Sequence, residues 1–163
     1  MAILDFMGFL RREPKEVKED KFVPVHHHLI VSAEVNEPPR TPEAAMRFLS
    51  DVIEVAGMTV LSGPYAEYVD APGNEGVTAV AILAESHTAI HVWDGVSPAR
   101  VEFDLYSCKE YEIDAIMDLL NRFDPVDKKW KFLNRDIDLE PSYCECDQEV
   151  CVKDAEGRCD CGK

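Results

Sequence analysis

Val77-Thr78-Ala79-Val80-Ala81-Ile82-Leu83-Ala84-Glu85-Ser86-His87-Thr88-Ala89-Ile90-His91-Val92-Trp93 is the stretch from which the fold can be read. Val77 to Leu83 is an almost unbroken apolar run of strand length. Beyond the junction, His87, Ala89, His91 and Trp93 alternate with Thr88, Ile90 and Val92, the period of a second strand. The junction itself, Glu85-Ser86, carries no Gly, Pro or Asn, so it lacks ordinary tight-turn chemistry. A hydroxyl and two imidazoles therefore sit at a polar insert between two strands, and a thiol, Cys108, closes the next segment. That combination of residue types points to chemistry.

Working outward, Asp94-Gly95-Val96-Ser97-Pro98 reads as a turn and Arg100 to Ser107 as the next strand. Its alternation puts Val101, Phe103, Leu105 and Ser107 on one face and Glu102, Asp104, Tyr106 and Cys108 on the other. Ile113, Ile116, Met117, Leu120 and Phe123 recur at helical spacing, and Asp124-Pro125 ends that helix. Trp130 to Leu133 reads as a last strand.

Upstream, His28-Leu29-Ile30-Val31 starts a first strand. His26-His27-His28 reads as its polar entry in preference to a metal site, because adjacent strand residues point to opposite faces. Thr41-Pro42 supplies an N-cap with proline at the first helical position. Met46, Leu49, Ile53 and Ala56 form the helix's apolar stripe, and Gly57 stops it. Met58 to Leu61 reads as a strand, followed by Pro64-Tyr65-Ala66-Glu67-Tyr68 and a loop at Pro72-Gly73-Asn74. These elements predict an α+β, two-layer sandwich, an antiparallel sheet covered on one face by two helices.

With 163 residues, 46% of them hydrophobic, the chain is long enough for one globular domain with a real core. A formal net charge of -15 argues against nucleic acid and anionic membrane as partners, since both reward clustered Lys and Arg. Met1 to Leu10 is apolar but short, and Arg11 and Arg12 follow it. It reads as a docking helix or loose terminus, not as a signal peptide or membrane span, and a cytoplasmic location is expected. The charged stretch Glu13 to Lys21 reads as a solvated linker. The expected organisation is an N-terminal extension (1–25), one domain (26–137) and an acidic, cysteine-rich tail (138–163). The tail holds Cys144, Cys146, Cys151, Cys159 and Cys161 and too few large apolar residues for a core of its own. In a reducing compartment such thiolates suit zinc or a similar soft metal better than disulfides, although the spacing is not that of a common zinc finger. A redox-exposed tail without metal is the alternative.

Glu85-Ser86-His87, then His91 and Trp93, then Phe103-Asp104-Leu105-Tyr106-Ser107-Cys108, resembles the small prokaryotic type of pyruvoyl-dependent S-adenosylmethionine (AdoMet) decarboxylase. The resemblance runs from about His27 to Asp136 and leaves both ends outside. It implies self-cleavage between Glu85 and Ser86: the Ser86 hydroxyl attacks the Glu85 carbonyl to give an ester. Loss of the Ser86 α-proton then leaves a dehydroalanine, which hydrolyses to a pyruvoyl group. Such a bond must be held in strained geometry, with donors for the oxyanion and a base for the α-proton. By resemblance, His91 is the processing base and Thr78, where the family has serine, hydrogen-bonds the processing intermediate.

The pyruvoyl ketone would then take a substrate amine as an imine, and Cys108 would return a proton to the α-carbon. Tyr68 matches a family aromatic that stacks on the adenine, and Tyr65 matches a nearby aromatic. The family's Trp-Pro-Glu is replaced by Trp93-Asp94-Gly95, which leaves Asp94 as the carboxylate for the ribose. A homodimer of cleaved protomers acting on a small-molecule substrate is implied. Two other functions stand beside this one. The same scaffold could decarboxylate arginine or ornithine, with Glu67, Asp70 or Asp94 holding the distal cation. The chain could also be a non-catalytic metal-binding homologue, against which the joint presence of Ser86, His91 and Cys108 argues. Taken singly, His91 reads as a core histidine and Cys108 as a small buried hydrophobe.

Overall fold

Strand alternation and strand pairing agree across the domain. The computed structural model describes residues 23–139. The elements are β1 (His27–Val35), α1 (Pro42–Val55), β2 (Val60–Val69), β3 (Gly76–Leu83), β4 (Ser86–Trp93), β5 (Ala99–Ser107), α2 (Ile113–Asn121) and β6 (Pro125–Asn134). The strands form one antiparallel sheet in the order β2-β3-β4-β5-β1-β6, giving the expected α+β sandwich. Leu29 and Val31 of β1, Val77 and Ala79 of β3, Ile90 and Val92 of β4, and Val101, Phe103 and Leu105 of β5 are all buried beneath the helices. Phe48 of α1 meets Phe103 edge-on, ring centroids 5.6 Å apart, and Phe123 at 4.8 Å, tying α1 to the sheet and to the end of α2.

Local chemistry sets the helix ends. Thr41 Oγ1 accepts the Ala44 amide at 3.2 Å, as an N-cap should. At the other end Gly57 takes φ +63°, and the Gly57 and Met58 amides bond the Glu54 and Ile53 carbonyls, a glycine-terminated cap. The buried stripe is Ala45, Phe48, Leu49, Val52 and Ile53, continued by Ala56; Met46 lies half-buried at its edge.

Two strands exceed their sequence expectation. β2 does not stop at Leu61 but continues through a bulge at Gly63-Pro64 to Val69. Proline is tolerated there because β2 is an edge strand and the register shifts at that point. β6 runs from Pro125, well before Trp130, because an edge strand with one open face accepts the charges of Asp127, Lys129 and Lys131.

The face opposite the helices is uncovered among the described residues, and the register lays it out in rows. One row runs Glu67, Thr78, His91, Glu102, Ser32, Lys129; another runs Ser62, Ile82, His87, Tyr106, His28, Leu133. Among the described residues, no helix is long and apolar enough to cross a membrane.

Gly76 opens β3 at φ +155°, and a side chain there would collide with the Val92 carbonyl. Gly76→Ala should therefore cost roughly 2–4 kcal/mol. The expected result in a urea titration is a lower midpoint with an unchanged slope.

Candidate active site

The junction begins as a two-residue hairpin. Leu83 pairs with Ser86, so Ala84 and Glu85 alone make the turn. Without turn-type residues, tertiary contacts hold it. The Ala84 amide donates to the Thr59 carbonyl at 2.9 Å, and the Thr59 amide donates to Glu85 Oε2 at 3.0 Å. The Glu85 carbonyl accepts the Cys108 amide at 2.8 Å. Next in the chain, Ser86 has φ +150°, a value that residues with a Cβ rarely adopt. Strain thus sits on the residue after the Glu85 carbonyl, and an amide donor is already on that carbonyl's oxygen. Ser86 Oγ lies 3.2 Å from His87 Nδ1.

Beyond His87 the open face carries a compact polar group. His87 Nε2 stands 3.6 Å from Asp104 Oδ1, and His28 Nε2 stands 3.9 Å from the same oxygen. Neither His28 Nε2 nor Asp104 Oδ1 has a hydrogen-bond partner, although both are shielded from solvent. Burial holds His28 below the usual imidazole value and outweighs the pull of Asp104 in the other direction. His28 is therefore the neutral member, and its approach to Asp104 is not an ion pair. Tyr106 packs between the imidazoles of His28 and His87, its hydroxyl bonded to His26 Nδ1 at 2.7 Å. The Arg135 guanidinium covers the Tyr106 ring at 4.5 Å.

The second group lies further along the sheet. Thr78 Oγ1 and His91 Nδ1 are 3.0 Å apart. Glu102, opposite His91, is held by Ser32 at 2.9 Å and by Arg100. A cavity of about 230 Å³ opens beside them, lined by Asn74, Gly76, Thr78, His91 and Trp93. His91 is five residues from Ser86 on one strand of unbroken register, roughly 16 Å at the usual rise.

Of the residues expected from sequence, the fold brings together Ser86 and Cys108 at one end of β4 and Thr78 and His91 at the other. Tyr65 pairs with Val80 on the open side, whereas Tyr68 pairs with Val77 on the helix side. The Tyr68 hydroxyl donates to Asp94 Oδ1 at 3.0 Å, which pushes the phenol above its usual value. Arg40 stands 3.8 Å from Asp94 Oδ2, so both oxygens of this carboxylate already face partners. The five tail cysteines lie outside the described residues; within those residues no three His, Cys, Asp or Glu side chains are grouped to hold a metal. The sequence assigns no role to Asp104, His28 or Arg135, and His87 enters it only as one of the two imidazoles near the junction. The one signal was that alternation puts Asp104, Tyr106 and Cys108 on a common face.

Fold and site define an α+β sandwich built around a strained Glu-Ser junction with a hydroxyl, an imidazole and a carbonyl-bonded amide in reach. The family model for S-adenosylmethionine decarboxylase matches residues 27–136, and the chain belongs to that family. The chain is 42% identical over 62 residues to the S-adenosylmethionine decarboxylase proenzyme of Methanococcus aeolicus, covering 34% of this chain and 51% of that relative. Against the proenzyme of Methanococcus vannielii it is 42% identical over 53 residues, 31% of this chain and 42% of the relative. The chain thus spans about half the length of the curated relatives it matches. The crystal structure of the adenosylmethionine decarboxylase from Aquifex aeolicus superposes with a TM-score of 0.56 at 22% identity, over 74% of this chain and 98% of that one; this likeness is one of fold.

Proposed function

We propose that this chain cleaves itself between Glu85 and Ser86 and then acts as a pyruvoyl-dependent decarboxylase of S-adenosylmethionine, supplying spermidine synthesis. The observation that carries the reading is the junction. The residue after the scissile carbonyl is strained at φ +150°, and the Cys108 amide already sits 2.8 Å from the oxygen that would become the oxyanion. These residues fit a pyruvoyl group made from Ser86. That group supplies a ketone for the substrate amine and a carbonyl to take up the electrons released with carbon dioxide. Cys108 is the proton donor to the substrate α-carbon: its thiol is free and partly exposed, and its own amide bonds the junction. Tyr65, on the open face, offers an aromatic surface for the adenosine end, while Tyr68 stands on the other side of the same edge strand. The Tyr68–Asp94 hydrogen bond supports these two acting as a unit, and a ribose contact from Asp94 would have to displace Tyr68 or Arg40.

His91 with Thr78 takes the Ser86 α-proton, and the separation along β4 means that it does so from a second copy. The open sheet face exposes Ile30, Val80, Ile82 and Tyr65, an apolar surface suited to stacking on its equivalent. A face-to-face homodimer with opposed strands would carry His91 of the partner subunit to Ser86. Zinc in the cysteine tail remains a separate proposal, supported by the thiolate set alone.

Carbon dioxide release from carboxyl-labelled AdoMet, arginine and ornithine, assayed in parallel on the cleaved protein, tests the substrate. Release from AdoMet is expected. Release from arginine or ornithine with none from AdoMet would replace the substrate and keep the chemistry.

A further inference from the structure

We infer that His87, with Asp104 Oδ1 3.6 Å from its far ring nitrogen, is the base that takes the Ser86 hydroxyl proton in the first step of self-cleavage. This rests on the self-cleavage reading and adds to it a separate base for a separate proton. In a regular strand, neighbouring side chains point to opposite faces and could not meet. The φ of +150° at Ser86 breaks that alternation, and Ser86 Oγ stands 3.2 Å from His87 Nδ1. The backbone strain thus has a second consequence: besides loading the junction, it turns the nucleophile toward an imidazole.

Asp104 sets the tautomer. Its Oδ1 is shielded and unpartnered and lies 3.6 Å from His87 Nε2. An unpaired buried carboxylate oxygen is costly, so the ring proton belongs on Nε2, facing Asp104. That leaves the Nδ1 lone pair for the hydroxyl. His28 also faces Asp104, at 3.9 Å, but burial keeps it neutral, so it does not cancel the carboxylate's charge. The negative charge therefore remains to stabilise the imidazolium that forms at His87. The other groups around this imidazole are Tyr106, whose ring centroid is 5.8 Å away, and Arg135 behind it.

The step balances within the chain. The Oγ–H proton moves to His87 Nδ1 as Oγ bonds to the Glu85 carbonyl carbon. The oxyanion draws on the Cys108 amide. Collapse breaks the Glu85–Ser86 C–N bond, and the departing nitrogen takes the proton back from Nδ1. Amide becomes ester with no external reagent.

The test follows cleavage of the 163-residue chain, synthesised cell-free as the uncut precursor, by intact mass. His87→Asn and His87→Gly should each slow cleavage by about 100-fold or more, the usual contribution of a positioned base. Added imidazole should recover part of the rate in His87→Gly. Hydroxylamine, which cuts esters, should release no fragments from either variant. Asp104→Asn should slow the step as a loss of positioning, and Asp104→Glu should recover part of the rate. Circular dichroism matching wild type excludes misfolding as the cause. Cleavage of His87→Asn within threefold of wild type would overturn the inference and leave self-cleavage standing. A wild-type chain that stays uncut would overturn both.

Discussion

Ser86→Ala should give a single uncut chain of 163 residues, while the wild-type protein separates into 1–85 and a pyruvoyl-capped 86–163. The loss is complete because the Ser86 hydroxyl oxygen is the nucleophile that replaces nitrogen on the Glu85 carbonyl carbon, and alanine leaves nothing in its place. Decarboxylation falls with it, since the ketone is never made. Ser86→Gly separates nucleophile from strain. It also leaves the chain uncut, but glycine accepts φ +150° at no steric cost. The strain relieved, about 1–3 kcal/mol, exceeds the 0.5–1 kcal/mol that glycine loses in a strand, so the glycine variant should unfold at higher urea than the alanine variant by roughly 1 kcal/mol. Intact mass reads the first result and equilibrium unfolding reads the second. An uncut wild-type chain after long incubation would remove the function proposed for the junction. Equal stability of the two variants would remove the strain from its account.

What sequence made legible was the periodic part. Two-residue alternation on β5 put Phe103 and Leu105 on one face and Asp104 and Tyr106 on the other; the first pair is buried and the second lies on the open face. The Thr41-Pro42 start and Gly57 stop of α1 follow from local chemistry that tertiary contacts do not override. The misses have a common cause. β2 beyond Leu61 and β6 before Trp130 are edge segments, shaped by one neighbouring strand and not by an apolar pattern of their own. The Ala84-Glu85 turn lacks turn residues because its geometry is imposed by Thr59 and Cys108, which are distant in sequence. For the same reason, pattern alone does not reveal that Ser86 reaches His87, since it required a backbone angle that breaks the very alternation being read.

His91 poses the sharper problem, because resemblance assigns it a proton that lies roughly 16 Å away along its own strand. Mixing two inactive chains resolves where it acts. His91→Ala alone should stall at or before the ester, and Ser86→Ala alone has no nucleophile. In a mixed dimer, however, the His91→Ala chain keeps Ser86, and the Ser86→Ala chain keeps Thr78 and His91, joined at 3.0 Å. If the partner supplies the base, the His91→Ala chain is cut and the Ser86→Ala chain is not. With equal amounts and random pairing, half of the His91→Ala chains find a Ser86→Ala partner in a two-fold dimer, so about half should be cleaved. Co-expression with distinguishable tags and intact mass of each chain reads the outcome. No cleavage in the mixture, with heterodimers demonstrated by co-purification, would sink the partner-supplied base. It would require β4 to bend until His91 reaches Ser86 within one chain, against a register unbroken from Ser86 to Trp93. The apolar open face, with Val80 and Ile82 exposed beside the junction, is what makes the dimer the expected answer.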